Sequence, residues 1–116
     1  MTMSYLNALA GVAESDVQAL IQAEKSYGDS WKRRGGIGAF MMLARKWDRL
    51  EKQLERQTPG ASVYDIFAHV ENDKRAEGVI DDIRDLRRYL LLVEAHLVSL
   101  GVPAAMTKSR DNQQKG

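Results

Sequence analysis

The apolar residues of this chain recur at every third or fourth position in two long segments. In one, the series is Phe40, Leu43, Ala44, Trp47, Leu50 and Leu54; in the other it is Val79, Ile83, Leu86, Leu90, Val93 and Leu97. That spacing gathers each series on one face of an α-helix. Strand-like alternation is absent, and Thr, which favours strands, occurs only three times. Breakers set the limits. Thr58-Pro59-Gly60 closes the first segment, and Gly101 and Pro103 close the second. The pattern predicts helices over about residues 38–57 and 75–100, with Gly78 weakening the first turn of the latter.

An earlier helix is expected over about residues 14–26. Val17, Leu20 and Ile21 line one face, Glu14 or Ser15 serves its N-terminus, and Gly28 is a left-handed C-cap. Residues 1–13 read as a frayed turn or a segment that packs on a partner. Val63, Ile66, Phe67 and Val70 allow a short helix, followed by a loop at Glu71-Asn72-Asp73-Lys74. Residues 104–116 are polar and aperiodic, the pattern of a disordered tail. The expected fold is all-α, an antiparallel bundle of three or four helices in a single domain over residues 1–103.

Composition narrows the chemistry. The 116 residues include no Cys and two His, so thiolate metal sites, disulfides and Cys nucleophiles are ruled out and a His-rich site is disfavoured. No Ser stands in a recognisable nucleophile elbow. The 17 Lys and Arg nearly balance 16 Asp and Glu, which argues against a strongly electrostatic nucleic-acid binder. The signs are segregated, however. Lys25, Lys32, Arg33, Arg34, Arg45 and Lys46 make the early part basic, and acids concentrate at Asp48 to Glu55 and Glu77 to Asp85. No apolar run reaches the roughly 18 residues of a membrane span, and no secretory signal is evident, so the expected location is the cytoplasm.

Two acid pairs stand out, Asp48/Glu51 and Asp82/Asp85, each three apart on an expected helix and each flanking the apolar series. Two helices offering such pairs to a shared groove would form an oxygen-ligand cage for a hard cation such as Mg²⁺. The competing reading is a solvated, salt-bridged surface, since Arg45, Arg49, Lys52, Arg84, Arg87 and Arg88 are close in sequence. Glu55 and Asp81 are either outer ligands or solvent-facing. Gly35-Gly36-Ile37-Gly38 is either a hinge or a phosphate clamp; it lacks the Lys-Ser/Thr ending and the preceding strand of a P-loop. Trp31 either stacks on a base or packs in the core, and Trp47 reads as core. Tyr89, one turn beyond Asp85, is placed to line the same pocket, and His96 reads as a satisfied polar group.

The runs Lys25-Ser-Tyr-Gly28-Asp-Ser-Trp31, Gly36-Ile-Gly38-Ala-Phe40 and Leu43-Ala-Arg-Lys-Trp47-Asp48-Arg-Leu-Glu51, with Asp82-Ile-Arg-Asp85-Leu-Arg-Arg-Tyr89, resemble the phage nucleotide modification associated domain 1 family. That family is similar to the all-α, MazG-like nucleoside triphosphate pyrophosphatases. The resemblance implies a homo-oligomer, dimer or tetramer, that hydrolyses a (d)NTP to (d)NMP and pyrophosphate, with dGTP a substrate of some phage MazG-like enzymes. A phage-encoded enzyme would work in the host cytoplasm. It implies Mg²⁺, with Mn²⁺ able to substitute, held by Asp48, Glu51, Asp82 and Asp85. Here Asp stands at the first position of each pair, where the superfamily has Glu, so Glu55 or Asp81 could substitute as ligands. Under this reading Glu51 takes the proton of the attacking water, and Lys46, Lys25, Arg33 and Arg34 hold the phosphates. Trp31 and Tyr89 border the nucleotide. The rival class is a non-enzymatic helical module that binds nucleic acid or a partner protein.

Overall fold

The computed structural model describes residues 4–73 and 78–103, which are helical apart from turns and one isolated bridge between Thr58 and Ala61. Four α-helices follow in order: α1 (Tyr5–Tyr27), α2 (Gly35–Glu55), α3 (Ile66–Asn72) and α4 (Val79–Ser99), with a single 3-10 turn at Ser30–Lys32 between the first two. The all-α expectation is met. The expected tail at residues 104–116 and the expected helix start near Arg75 lie outside the described residues.

Helix α1 begins well before the expected Glu14. The Ser4 hydroxyl accepts from the Leu6 amide at 3.2 Å, and the Ala- and Leu-rich stretch after it propagates readily. Ser15 therefore lies inside the helix rather than at its end, with its hydroxyl donating to the Val12 carbonyl. The helix stops at Gly28, whose φ of 58° is open to glycine and whose amide donates to the Glu24 carbonyl.

Helix α2 starts three residues ahead of the expected Gly38. The glycine run is its first turn, not a free loop. Two of these glycines have steric reasons. Gly35 sits at φ 70°, and a Cβ on Gly38 would fall 2.5 Å from the Arg34 Cβ. Beyond α2 the chain folds back through Pro59-Gly60. The His69 ring at Nε2 lies 3.1 Å from the Ser62 carbonyl, and Asp65 caps α3 by accepting from Ala68 at 3.0 Å. Helix α3 runs on through Glu71 and Asn72, which the sequence placed in a loop. Asp81 and Asp82 occupy the first turn of α4, where negative charge suits the helix dipole.

Helices α2 and α4 pack antiparallel: Lys46 meets Asp85, while Leu50 and Leu54 meet Val79. Leu50, Leu54 and Val79 are buried, with Val70, Ile83 and Leu86 packed around them. This core is smaller than the periodicity predicts. Phe40 and Trp47 of the α2 series and Leu90 and Leu97 of the α4 series are exposed. The register turns Tyr89 inward instead of Leu90.

Helix α1 contributes no apolar residue to that buried set; its one fully buried residue is Asp16, 2% exposed. Arg87 donates to both Asp16 oxygens, at 2.6 and 2.8 Å, and Arg88 Nε donates to Oδ1 at 2.8 Å. Arg88 also reaches the Ser15 hydroxyl at 3.2 Å. This cluster fastens α1 to α4. The two guanidiniums hold the Asp16 carboxyl down at about 2, below its ordinary 3.8. Its stabilising contribution is therefore complete above pH 3.8 and lost as pH falls toward 2. Asp16→Asn should lower stability at pH 7 by about 2–3 kcal/mol in urea unfolding, because two arginines lose their counter-charge. In that variant the corresponding part of the acid-induced loss between pH 4 and 2 should vanish.

Candidate functional site

Two adjoining cavities flank the middle of α4. The first, of about 400 Å³, opens between α2 and α4 and is lined by Arg49, Gln53, Asp81, Asp82, Asp85 and Arg88. The second, of about 760 Å³, lies between α1, the 3-10 turn and α4, with Leu20, Trp31, Lys46, Tyr89, Leu92 and His96 in its wall. Lys46 joins them. It lines the apolar cavity, places its ammonium 5.5 Å from the Tyr89 ring centroid, and donates to Asp85 Oδ2 at 2.9 Å in the polar cleft.

Asp82 is the polar cleft's most constrained group. Its residue is 8% exposed, and Oδ2 is buried without a hydrogen-bond partner. Burial pushes the carboxyl above its ordinary range. Arg49 opposes that rise, Asp85 and Asp81 add to it, and a hydrogen bond with Gln53 lowers it. Asp85 is half-exposed and also lies 3.9 Å from Arg49. Two carboxylates one turn apart are thus offset by Lys46 and Arg49 from the facing helix.

The apolar cavity has an aromatic wall. Trp31 meets Tyr89 edge-on at a centroid distance of 6.0 Å and His96 edge-on at 5.5 Å. Aromatic pairs favour such geometry. Trp31 therefore packs against α4 and at the same time faces the cavity. His96, expected as a satisfied polar group, lends its ring to the wall.

Of the expected site residues, Asp82, Asp85, Lys46, Trp31 and Tyr89 come together along this line of two cavities. The others do not. Asp48 is exposed and follows Lys46 by two residues, about 200° around α2, so it faces away from α4. Glu51 lies on the Tyr64 side of α2; the Tyr64 phenol is raised first by its hydrogen bond to Glu55 and burial, with the Glu51 charge adding least. Among the described residues no three acids or histidines gather closely enough to hold a metal. The four acids thus do not meet within the described chain, and the sequence leaves open whether such a groove is built within one chain or between subunits. Lys25, Arg33 and Arg34 are exposed and line neither cavity. Arg49 and Gln53 belong to the polar cleft and were missed as site residues, although their spacing from Lys46 puts all three on one side of α2.

No family model, curated protein or solved structure matches this chain. No helix among the described residues is long and apolar enough to cross a membrane.

The raised Asp82 carboxyl means that the folded state binds its proton more tightly than the unfolded state does. Its charged form therefore costs stability at neutral pH, and the cost disappears as pH falls through the folded value. Asp82→Asn should raise the thermal midpoint at pH 7 by a few degrees, with the gain gone near pH 4, as read by circular dichroism. A lower midpoint at pH 7 would mean that Arg49 and Gln53 outweigh the burial.

Proposed function

We propose that this chain is a Mg²⁺-dependent nucleoside triphosphate pyrophosphohydrolase of the MazG-like kind, acting on a (d)NTP, with dGTP among the candidates, as a homo-oligomer. One observation carries the reading: the buried Asp82 carboxylate, with an oxygen lacking a hydrogen bond, beside Asp85 in an open cleft that adjoins an aromatic cavity. A buried, unpartnered carboxylate oxygen is costly unless something uses it.

The donor chemistry fits a hard divalent cation. Such an ion keeps several waters and takes one or two carboxylates together with substrate phosphates, so Asp82 and Asp85 suffice without a protein cage. When bound, Mg²⁺ supplies charge neutralisation for the triphosphate and a more acidic water. The remaining work falls to this chain's side chains. Asp82 and Asp85 are committed to the ion, so the proton of a water attacking the α-phosphorus, a role expected of Glu51 from the sequence, falls to Asp81, the third carboxylate lining the cleft. The water oxygen bonds to the α-phosphorus, the bond to the bridging oxygen breaks, and pyrophosphate leaves with that electron pair. Arg49 and Lys46 offset the charge gathering on the phosphate oxygens. Lys46 stands between the two cavities, which sets the phosphates in the polar cleft and the nucleoside against Trp31 and Tyr89. Aromatic faces at such a wall suit a base.

Incubation with Mg²⁺ and a panel of dNTPs should release pyrophosphate, and EDTA should stop it. Asp82→Asn and Asp85→Asn should each lower kcat by about 100-fold or more while leaving the helical circular dichroism unchanged. Trp31→Ala should act mainly through KM. Full turnover in both Asn variants would remove the cleft acids from the reaction. An inert protein with salt-sensitive binding to nucleic acid would favour the interaction-module reading.

A further inference from the structure

The outer side of α2 carries a stripe that nothing in the described chain covers. Ile37, Phe40 and Trp47 are 82%, 67% and 53% exposed, and Met41 is exposed with them. Helical spacing aligns these side chains with Ala44, on the side away from Lys46 and Gln53. The stripe has charged ends of opposite sign. Arg33 and Arg34 precede it, and Asp48 and Glu51 continue it. None of these four side chains makes an ion pair with another described residue.

We propose that this stripe is the interface of a two-fold homodimer in which α2 packs antiparallel on α2 of a second copy. The order basic, apolar, acidic along one helix complements itself only when reversed, and a two-fold axis performs that reversal. The spacing agrees. The stripe is centred between Phe40 and Ala44, and at about 1.5 Å per residue both charged ends lie roughly 12 Å from that centre. Antiparallel pairing therefore sets Arg33 and Arg34 of one copy against Asp48 and Glu51 of the other, with the aromatic and aliphatic side chains between. Ile, Phe, Met and Trp between charged margins is the composition of an interface core with a polar rim. A nucleic-acid backbone would meet the acidic end unfavourably and leave the apolar centre without a partner.

The pairing also gives Asp48 and Glu51 a role that the polar cleft does not: they are interface acids that fix orientation. It is independent of triphosphate hydrolysis, so an inactive protein would leave it standing.

Sedimentation velocity at about 20 µM, where a micromolar dimer is populated, should give an assembly containing at least two 13.0 kDa chains. The double variant Phe40→Asp/Trp47→Asp should sediment as a monomer with unchanged helical circular dichroism. The variants Arg33→Glu/Arg34→Glu and Asp48→Arg/Glu51→Arg should each self-associate at least about tenfold more weakly. Mixed together they should regain the wild-type affinity, because every end-to-end contact in the mixed pair is then between opposite charges. A monomeric wild type, an undiminished dimer in Phe40→Asp/Trp47→Asp, or no gain on mixing the charge variants would each overturn the proposal.

Discussion

Asp16 is held by two neighbouring arginines of α4, and the position of α1 depends on that contact. A carboxylate withdrawn from water loses hydration worth several kcal/mol, which only close, well-directed donors can return. Arg87 supplies a two-pronged contact and Arg88 a third hydrogen bond, so both Asp16 oxygens are engaged. Because no apolar side chain of α1 joins the buried set, this polar lock does what a hydrophobic seam does elsewhere in the fold. The consequence reaches the candidate site. With α1 fixed against α4, Leu20 faces Trp31, Tyr89 and Leu92 across an apolar cavity.

The α2/α4 seam divides into two parts. At the end near α3 it is a small hydrophobic cluster of Leu50, Leu54 and Val79. Toward the middle of α4 it turns polar, with Lys46 and Arg49 facing Asp82 and Asp85. The Lys46 contact with Asp85 neutralises one acid. Asp82 keeps an oxygen without a partner and a carboxyl shifted toward its neutral form. A fold optimised only for stability would place an amide or an aliphatic group there. Local violations of that kind are expected where a protein acts on something else, and the proposed reaction is centred on Asp82 for that reason.

Helix α2 is apolar on two sides. One side, with Leu50 and Leu54, packs on α4; the other, with Ile37, Phe40 and Trp47, points outward. The sequence series running from Phe40 to Leu54 passes from one side to the other, because 3.6 residues per turn lets a loose three-or-four spacing drift around the helix. Asp48 and Glu51 drift with it. They looked like companions of Asp82 and Asp85 because all four flank apolar positions, but they flank the outward stripe, and the second pair flanks the inward one.

What the sequence determined alone was the helical class, the existence of α1, α2 and α4 and the breakers between them; it allowed α3, and it nominated Asp82, Asp85, Lys46, Trp31 and Tyr89, which the fold brings to the two cavities. These rest on local rules of periodicity, capping and residue chemistry that act within a few turns. The start of α1 at Tyr5 was also local, but Ser4 is a weak signal beside the more conspicuous Glu14 and Ser15. Tertiary structure decided which side of α2 is buried, which acid pair shares a cleft, and that Asp16 binds Arg87 and Arg88, residues about seventy positions away. Those outcomes depend on the rotation of one helix against another. Helix rotation is set by the fit of distant side chains, and no spacing within either helix encodes it.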